Sequence, residues 1–503
     1  MRFLSADESR TADARTIAAG TPGLVLMERA AAAVAREAIR AIGGRPERAA
    51  SIVVLAGPGN NGGDGFEVAR RFRAAGWNGV EVLLLGDPER LSGDAATTFG
   101  RLAGCGVSVR PVTTERDLEP LRSASFVVDA LYGTGLTRPV EEESLSGRAV
   151  RLVASGRPFV LAVDVPSGLS GDRSDLPGPA VRADVTVTFG TPKRCHVFLP
   201  AAGLCGRLVV ADIGLLPREE GRAAGEPEVI TATDVAPLFP PREASSHKGT
   251  YGHLLVVGGS EGFFGAPALT VRAALRSGAG LVTLAASDEV RRSVHALSPE
   301  TTSVPPDADL APYDALAIGP GLGRSGEAKR FLSRLAAAPK PAVFDADALN
   351  LAGEAGFFRS RLSPTILTPH PGEAGRLLGL DTASVNADRG AAARALAAGS
   401  GAVVVLKGFR TVLADPSGRT ALVLSGNPGM ASGGTGDVLT GIAGAFFARG
   451  FSAWDAAAAA TFLHGAAGDL AVETLGEEAL VASDVVAALG AAFGLLRDAR
   501  PVG

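Results

Sequence analysis

Short apolar runs rich in Val, Leu, Ile and Phe alternate along the whole chain with alanine-rich stretches of helical period. Parallel strands covered by helices produce that pattern. In the first half it predicts strands at Ser51–Ala56, Val80–Leu85, Phe126–Leu131, Phe159–Val165, Val185–Phe189 and Leu208–Ile213, with helices such as Phe66–Ala75 between them. Pro217 to Pro227 is charged, holds Gly and Pro and has no apolar period, so it reads as a linker. The alternation restarts at His253–Val257 and runs through Leu281–Ala285, Ala315–Ile318, Ala342–Asp345, Thr365–Thr368 and Val403–Leu406. Thr411–Ala414 and Ala421–Leu424 flank Asp415-Pro416-Ser417-Gly418 and predict a hairpin. Long helices are expected near 436–449, 452–473 and 483–496. The halves do not repeat one another. The fold class is α/β, with one domain over 1–216, a linker over 217–227 and a second domain over 228–503.

Composition narrows the function. A chain of 503 residues exceeds one core. The net charge of −4 gives no basic footprint for nucleic acid. The alanine-rich helices carry regular Arg, Glu or Asp, so no membrane span is expected. Met1 to Glu8 lacks an apolar signal core, and Cys105, Cys195 and Cys205 make no metal pattern. Both point to a reducing cytoplasm. The alanine-rich helix Met27–Ile39 either packs on a partner, as in a homo-oligomer, or closes its own domain.

The strongest chemical signal is G-N-P-G-M-A-S-G-G-T-G-D at residues 426–437, followed by an apolar run of helical spacing through Val438, Leu439, Ile442 and Phe446. A glycine loop entering a helix N-terminus is an anion cradle. A carboxylate at its mouth does not bind phosphate; Asp437 suits taking a proton from a hydroxyl while Gly434, Thr435 and Gly436 steady a transferring phosphoryl group. There is no G-x-x-x-x-G-K-[ST], so this is not a P-loop.

In the first half, Gly57-Pro58-Gly59-Asn60-Asn61-Gly62-Gly63-Asp64-Gly65 follows a strand and precedes a helix. Its G-x-G-x-x-G spacing, with Asp87 after the next strand, is weak evidence for a dinucleotide site; the N-N-G-G-D-G run is the informative part. Tyr132-Gly133-Thr134-Gly135-Leu136 and Asp164-Val165-Pro166-Ser167-Gly168 end two further strands, where open α/β sheets place ligands. Oxygens of Asn61, Asp129 and Ser167 suit a hard cation, or serve as turn and strand-end caps.

With L-M-E-R-A at Leu26–Ala30, the N-N-G-G-D-G, V-D-A-L-Y-G-T-G and D-V-P-S-G motifs resemble the YjeF-type epimerase family, Rossmann-like three-layer domains. That family inverts C6 of hydrated NADH and NADPH (NADHX and NADPHX). The resemblance implies substrate contacts from Asn60, Asn61, Gly62, Gly63 and Asp64 and from Gly133, Thr134, Gly135, Leu136, Thr137, Arg138 and Pro139. It implies potassium on Asn61, Asp129 and Ser167, and Asp164 as the acid–base carboxylate. Tyr132 stands where an aliphatic residue is expected.

The second half adds Ser246-His247-Lys248-Gly249, Gly262–Ala268, the Gly319–Gly323 glycine turn, Asp345-Ala346-Asp347, Thr368-Pro369-His370-Pro371-Gly372-Glu373 and Lys407-Gly408-Phe409-Arg410-Thr411. Together they resemble the ribokinase-like ADP-dependent NAD(P)H-hydrate dehydratases. The resemblance implies Ala266, Gly321, His370 and Asp437 facing the hydrate, and Lys407, Gly408, Phe409, Arg410, Thr411, Gly434, Thr435 and Gly436 at the adenine nucleotide. ADP is the expected co-substrate, ATP an alternative, and magnesium the phosphate-bridging ion. His247 and Lys248 serve phosphate or cap the domain's start; Asp345 and Asp347 bind magnesium or cap a helix. A vitamin-type small-molecule kinase fused to a nucleotide-binding domain, and a binding scaffold, are the other readings.

Overall fold

A computed structural model describes residues 3–43, 51–216 and 227–499. Most of the expected linker, 217–226, lies outside the described residues. The chain divides into two compact units, Arg2–Gly221 and Arg222–Gly503.

The first unit holds β1 (Ile52–Ala56), β2 (Val80–Leu84), β3 (Ser108–Pro111), β4 (Phe126–Ala130), β5 (Phe159–Val163), β6 (Val185–Phe189) and β7 (Arg207–Ala211). They form one parallel sheet in the order β3-β2-β1-β4-β5-β6-β7. Ile52, Val54 and Ala56 pack into one layer and Val53 and Leu55 into the other, so helices must cover both faces. The order reverses between β1 and β4, which opens a crevice beyond their carboxyl ends. The helix Gly23–Ala41 buries Leu26, Met27, Ala30, Ala31, Val34 and Ala38 and so closes its own domain.

The second unit holds β8 (Glu228–Ile230), β9 (His253–Val257), β10 (Leu281–Ala285), β11 (Thr302–Val304), β12 (Ala315–Ile318), β13 (Ala342–Phe344), β14 (Thr365–Leu367), β15 (Val403–Leu406), β16 (Thr411–Ala414) and β17 (Thr420–Val423). Their order is β11-β10-β9-β12-β13-β14-β15-β16-β17-β8. The pairs β15–β16 and β16–β17 are antiparallel, the latter being the expected hairpin. A second reversal falls between β9 and β12.

The pattern missed β3, β8 and β11. All three are edge strands, and Ser108-Val109-Arg110-Pro111 shows why: an edge faces water and needs no apolar run. The helix Thr435–Ala448 lies close on the helix Gly265–Arg276, because a Cβ on Gly441 would meet the Thr270 carbonyl oxygen at 2.1 Å. Thr270 also donates through Oγ1 to the Asp437 carbonyl oxygen at 3.0 Å, which locks the register of the two helices.

Candidate active sites

In the first unit the chain leaves β1 and enters the helix Asn60–Ala74, capped at Gly59. The N-N-G-G-D-G run is therefore the opening of that helix, not a loop ahead of one beginning at Phe66. Its glycines serve contact. A Cβ on Gly62 would stand 1.8 Å from the Gly57 carbonyl oxygen, and one on Gly65 2.7 Å from Ala130 Cβ. A side chain at either would lift the helix off β1 and β4.

Gly133 draws the far side in. A Cβ there would lie 2.9 Å from Asn61 Oδ1 and 3.4 Å from Asp164 Oδ2, so Asn61, Gly133 and Asp164 border one small space. Asn61 Nδ2 is buried without a hydrogen-bond partner, a loss rarely tolerated in a closed core. Of the loop that follows, Gly135, Thr137, Arg138 and Pro139 are exposed, whereas Thr134 and Leu136 are half-buried. Asn60 is exposed at the helix start, and Gly63 packs on Met27.

Asp129 is fully buried. Ser167 donates to it twice, from Oγ to Oδ1 at 2.6 Å and from N to Oδ2 at 2.8 Å, and the Tyr132 N–H donates to Ser167 Oγ at 2.9 Å. Burial raises the Asp129 carboxyl to about 6, against the pull of those hydrogen bonds. Tyr132 itself fits, its hydroxyl 2.8 Å from Ser146 Oγ.

Asp164 leaves β5 in left-handed backbone, φ 63°. Its Oδ1 accepts from Lys193 Nζ at 2.7 Å and from Thr188 Oγ1 at 2.9 Å. Burial alone would raise this carboxyl; the Lys193 charge and hydrogen bond override it and hold the group below its ordinary range. Asp64 goes the other way, raised well above the ordinary value by burial and then by the negative charges of Asp164 and Asp13. Two neighbouring carboxyls are thus pushed in opposite directions, the kind of separation that acid–base pairs use.

In the second unit Gly434, at φ 94°, turns the chain into the helix Thr435–Ala448, whose third residue is Asp437. Thr435 Oγ1 donates to the Met430 carbonyl oxygen at 2.9 Å and closes the turn. A Cβ on Gly436 would fall 3.2 Å from Lys407 Nζ and 3.6 Å from Asp345 Oδ2. Lys407 donates to Asp345 Oδ1 at 2.7 Å and lies 3.8 Å from Glu373 Oε2, and Thr440 Oγ1 donates to Asp345 Oδ2 at 2.7 Å.

The charges are tuned together. Burial, then Asp345, pushes the Asp437 carboxyl up to about 7, with Lys407 opposing and Asp347 and Glu373 adding. Burial takes Glu373 to about 7 as well. Lys407 stays cationic: burial disfavours its charge, but Asp345 and Glu373 outweigh it.

His370 caps the helix Pro371–Leu378, its Nδ1 accepting from the Gly372 N–H at 3.0 Å, and Glu373 Oε2 accepts from the His370 N–H at 2.8 Å. Burial and then Lys407 lower its pKa, so the ring is neutral with its proton on the half-exposed Nε2 edge. Ala266 and Gly321 are neighbours: a Cβ on Gly321 would lie 3.4 Å from Ala266 Cβ. Ser260 Oγ donates to the Gly321 carbonyl oxygen at 2.9 Å and ties the two loops together.

Two open alternatives separate. Asp345 belongs to the Lys407 cluster, whereas Asp347 accepts from the Gly323 N–H and Arg324 Nε, each at 3.0 Å. His247 is a cap, accepting at Nδ1 from the Gly249 N–H at 3.1 Å. The pattern reading did not single out Lys193, Thr188, Asp13, Thr440 or Arg389, and gave Glu373 no role. Lys193 alone offered a signal, a lysine just past the carboxyl end of a strand. Among the described residues, no group of three or more His, Cys, Asp or Glu side chains is arranged to hold a metal ion.

A family model described as NAD(P)H-hydrate dehydratase matches residues 254–489, and one described as YjeF-related protein N-terminus matches residues 23–195. The chain is 39% identical over 498 residues to the bifunctional NAD(P)H-hydrate repair enzyme Nnr of Thermofilum pendens, covering 94% of this chain and 92% of that protein. It belongs to the bifunctional NAD(P)H-hydrate repair enzymes. Another member of this repair family, from Moorella thermoacetica, is 40% identical over 490 residues, covering 92% of this chain and 91% of its own. Among solved structures, the ADP/ATP-dependent NAD(P)H-hydrate dehydratase from Bacillus subtilis, co-crystallized with ATP/Mg2+, is similar with a TM-score of 0.51 and 34% identity, covering 54% of this chain and 98% of that one. The fold is thus the α/β pair expected of a repair enzyme: a Rossmann-like three-layer unit and a ribokinase-like unit.

Proposed function

We propose that the first unit interconverts the R and S epimers of NADHX and NADPHX and that the second returns the S epimer to NAD(P)H, consuming ADP and releasing AMP and phosphate. The observation that carries this reading is Asp437, at the mouth of a glycine-opened helix, with its carboxyl at about 7 beside the Lys407–Asp345 pair. A base poised near neutrality is suited to take the proton of the C6 hydroxyl. That oxygen then attacks the β-phosphorus of ADP, and AMP leaves.

The amides of Gly434, Thr435 and Gly436 face the charge on the transferring group, and Lys407 adds a fixed cation. Hydroxide leaves poorly and phosphate leaves well. The ring nitrogen's lone pair expels phosphate, and loss of a proton from C5 restores the dihydropyridine. Ala266, Gly321 and the neutral His370 line the hydrate's side, and Lys407 to Thr411 the nucleotide's.

In the first unit Asp164, whose carboxyl Lys193 lowers, serves as the acid–base group, and Asp64, raised by burial, stands beside it. Asn60 to Asp64 and the Gly133–Pro139 loop hold the nucleotide. Asn61, Asp129 and Ser167 would hold potassium, with the hydrogen-bonded Asp129–Ser167 pair as its buried carboxylate, and the ion would supply a fixed positive charge there. Magnesium fits as an ion carried by phosphates and water, since Asp345 and Asp347 both have direct donors already. Three free thiols suit a reducing cytoplasm, and among the described residues no helix is long and apolar enough to cross a membrane.

The test supplies purified S-NADHX, ADP and magnesium, follows NADH absorbance and assays AMP and phosphate. One AMP and one phosphate per NADH are expected. A stable phosphorylated product without NADH would favour the vitamin-kinase reading.

A further inference from the structure

Asp13, Asp64 and Asp164 act on one another across the first unit's site, and Asp13 stands on a helix that precedes the sheet. That helix, Ala6–Ala18, opens with a capping box: Ser5 Oγ accepts from the Glu8 N–H at 3.1 Å, and Glu8 Oε2 accepts from the Ser5 N–H at 2.9 Å. Long-range bonds fasten it to the rim of the site. The Leu4 N–H donates to the carbonyl oxygen of Pro192, the residue before Lys193, at 3.2 Å, and the Ala6 N–H donates to Asp172 Oδ1 at 2.7 Å. Beside Asp172, a Cβ on Gly171 would stand 3.5 Å from Thr134 Cγ2 and 3.7 Å from Lys193 Cγ. The helix is thus anchored where the Gly133–Pro139 loop meets Lys193. At its far end Thr16 Oγ1 accepts from the Leu216 N–H at 3.0 Å.

Ala6, Ala12 and Thr16 are buried, whereas solvent reaches Asp13. The protein around the Asp13 carboxyl still raises it, by desolvation first, with Lys193 opposing and Asp164 adding. One turn earlier on the same helix face, Ser9 Oγ is buried with no hydrogen-bond partner among the described residues. A helix that only closed the domain would gain by turning a carboxylate away from Asp164, because like charges at close quarters disfavour each other. Asp164 itself is committed on one side. Its Oδ1 is taken by Lys193 and Thr188, which leaves Oδ2 toward the space at Gly133. One carboxyl so held serves one face of a ring, and inversion at a carbon needs a proton carrier on each.

We infer that Asp13 is the second proton carrier of the epimerase site, serving the face of the hydrated ring that Asp164 does not. This rests on the epimerase reading above. One carboxyl gives its proton to the C6 hydroxyl, the C6–O bond breaks, and the oxygen departs as water while the ring nitrogen's lone pair forms a double bond to C6. A water then adds to C6 from the opposite face, its oxygen supplying the electron pair of the new bond, and the other carboxylate takes its proton. The two groups have exchanged protonation states, and the reverse reaction uses them in the opposite order.

Chromatographic separation of the R and S epimers, with the full chain and no ADP, follows the interconversion directly. Asp13→Asn is expected to lower its kcat roughly 10²- to 10⁴-fold, the range for loss of a positioned proton carrier, with little change in KM for R-NADHX. Added formate should restore part of the rate to Asp13→Ala, a rescue that a merely structural aspartate would not allow. In isotopically labelled water each interconversion should place one solvent oxygen on C6. Unchanged kcat in Asp13→Asn, no rescue by formate, or retention of the original oxygen would overturn the inference, and so would a kcat loss confined to Asp64→Asn. If wild type interconverted the epimers no faster than buffer, the epimerase reading would fall and the inference with it. Normal wild-type turnover beside an unaffected Asp13→Asn variant would remove Asp13 alone.

Discussion

Lys407 Nζ lies 2.7 Å from Asp345 Oδ1, and the pair rests against Gly436 at the start of the helix that carries Asp437. One ion pair thus joins β13, β15 and the phosphate cradle. Asp345 is 1% exposed in its side chain, so removing Lys407 strands a buried carboxylate. Lys407→Met is expected to cost about 3–5 kcal/mol, read from the urea transition that ADP shifts. Lys407→Met with Asp345→Asn should cost less than Lys407→Met alone, because no charge is left behind.

Gly436 leaves little room: an added Cβ would stand 3.2 Å from Lys407 Nζ, tighter than ordinary contact. In Gly436→Ala the new methyl would press on Lys407 Nζ and Asp345 Oδ2 and tilt the amides that face the phosphoryl group. The expected loss in kcat is on the order of 10²-fold, with the epimerase activity of the same sample untouched. Equal kcat in wild type and variant would remove Gly436 from the cradle.

Dehydration should depend on pH through Asp437. A base must be ionised, so the rate should rise with pH and level off above about 7, the value to which burial and Asp345 push this carboxyl. Glu373 titrates in the same range, and the observed limb therefore belongs to the cluster. The stability effect has the opposite sign. Between the ordinary 3.8 and about 7 the folded chain holds a proton that the unfolded chain releases, so stability falls as pH rises through that window. Asp437→Asn should consequently melt higher than wild type at pH 8, with the gain shrinking toward pH 4. A lower melting temperature at pH 8 would contradict the placement of a strained carboxyl here.

Lys193 sets the state of Asp164. Lys193→Met should raise the Asp164 carboxyl, because burial then acts without the opposing cation, and the acid limb of epimerisation should move to higher pH with a lower plateau. Asp164→Asn should fold normally, since asparagine tolerates the left-handed backbone at φ 63°. An unmoved acid limb in Lys193→Met would separate the lysine from the proton transfer.

Buried strands were legible because both faces of β1 are apolar and leave an unbroken run, and β4 breaks that run only at Asp129. Edge strands were not, since β3, β8 and β11 are only three or four residues long and β3 and β11 are not fully buried, too little for an apolar run to show. At the sites, the glycine-opened helix before Asp437 was legible from a local motif whose spacing has a mechanical reason, whereas Asp164 and Gly133 were singled out by the family resemblance. Lys193 lies 29 residues from Asp164 and Thr440 lies 95 from Asp345, with no motif linking either pair. Only folding brings such partners together. The helix start at Asn60 was misplaced for a related reason: its glycines suggest a loop, but they are spent on contacts with Gly57 and Ala130 that no local pattern reveals.

Absorbance at the NADH band, followed after a mixed R and S NADHX sample meets ADP, magnesium and the full chain, tests the central claim most directly. Wild type should convert the whole sample. Asp164→Asn should convert the S fraction at normal speed and then slow to the spontaneous epimerisation rate, and Asp437→Asn should produce almost no NADH. Complete conversion by both variants would contradict the assignment of one carboxylate to each half-reaction.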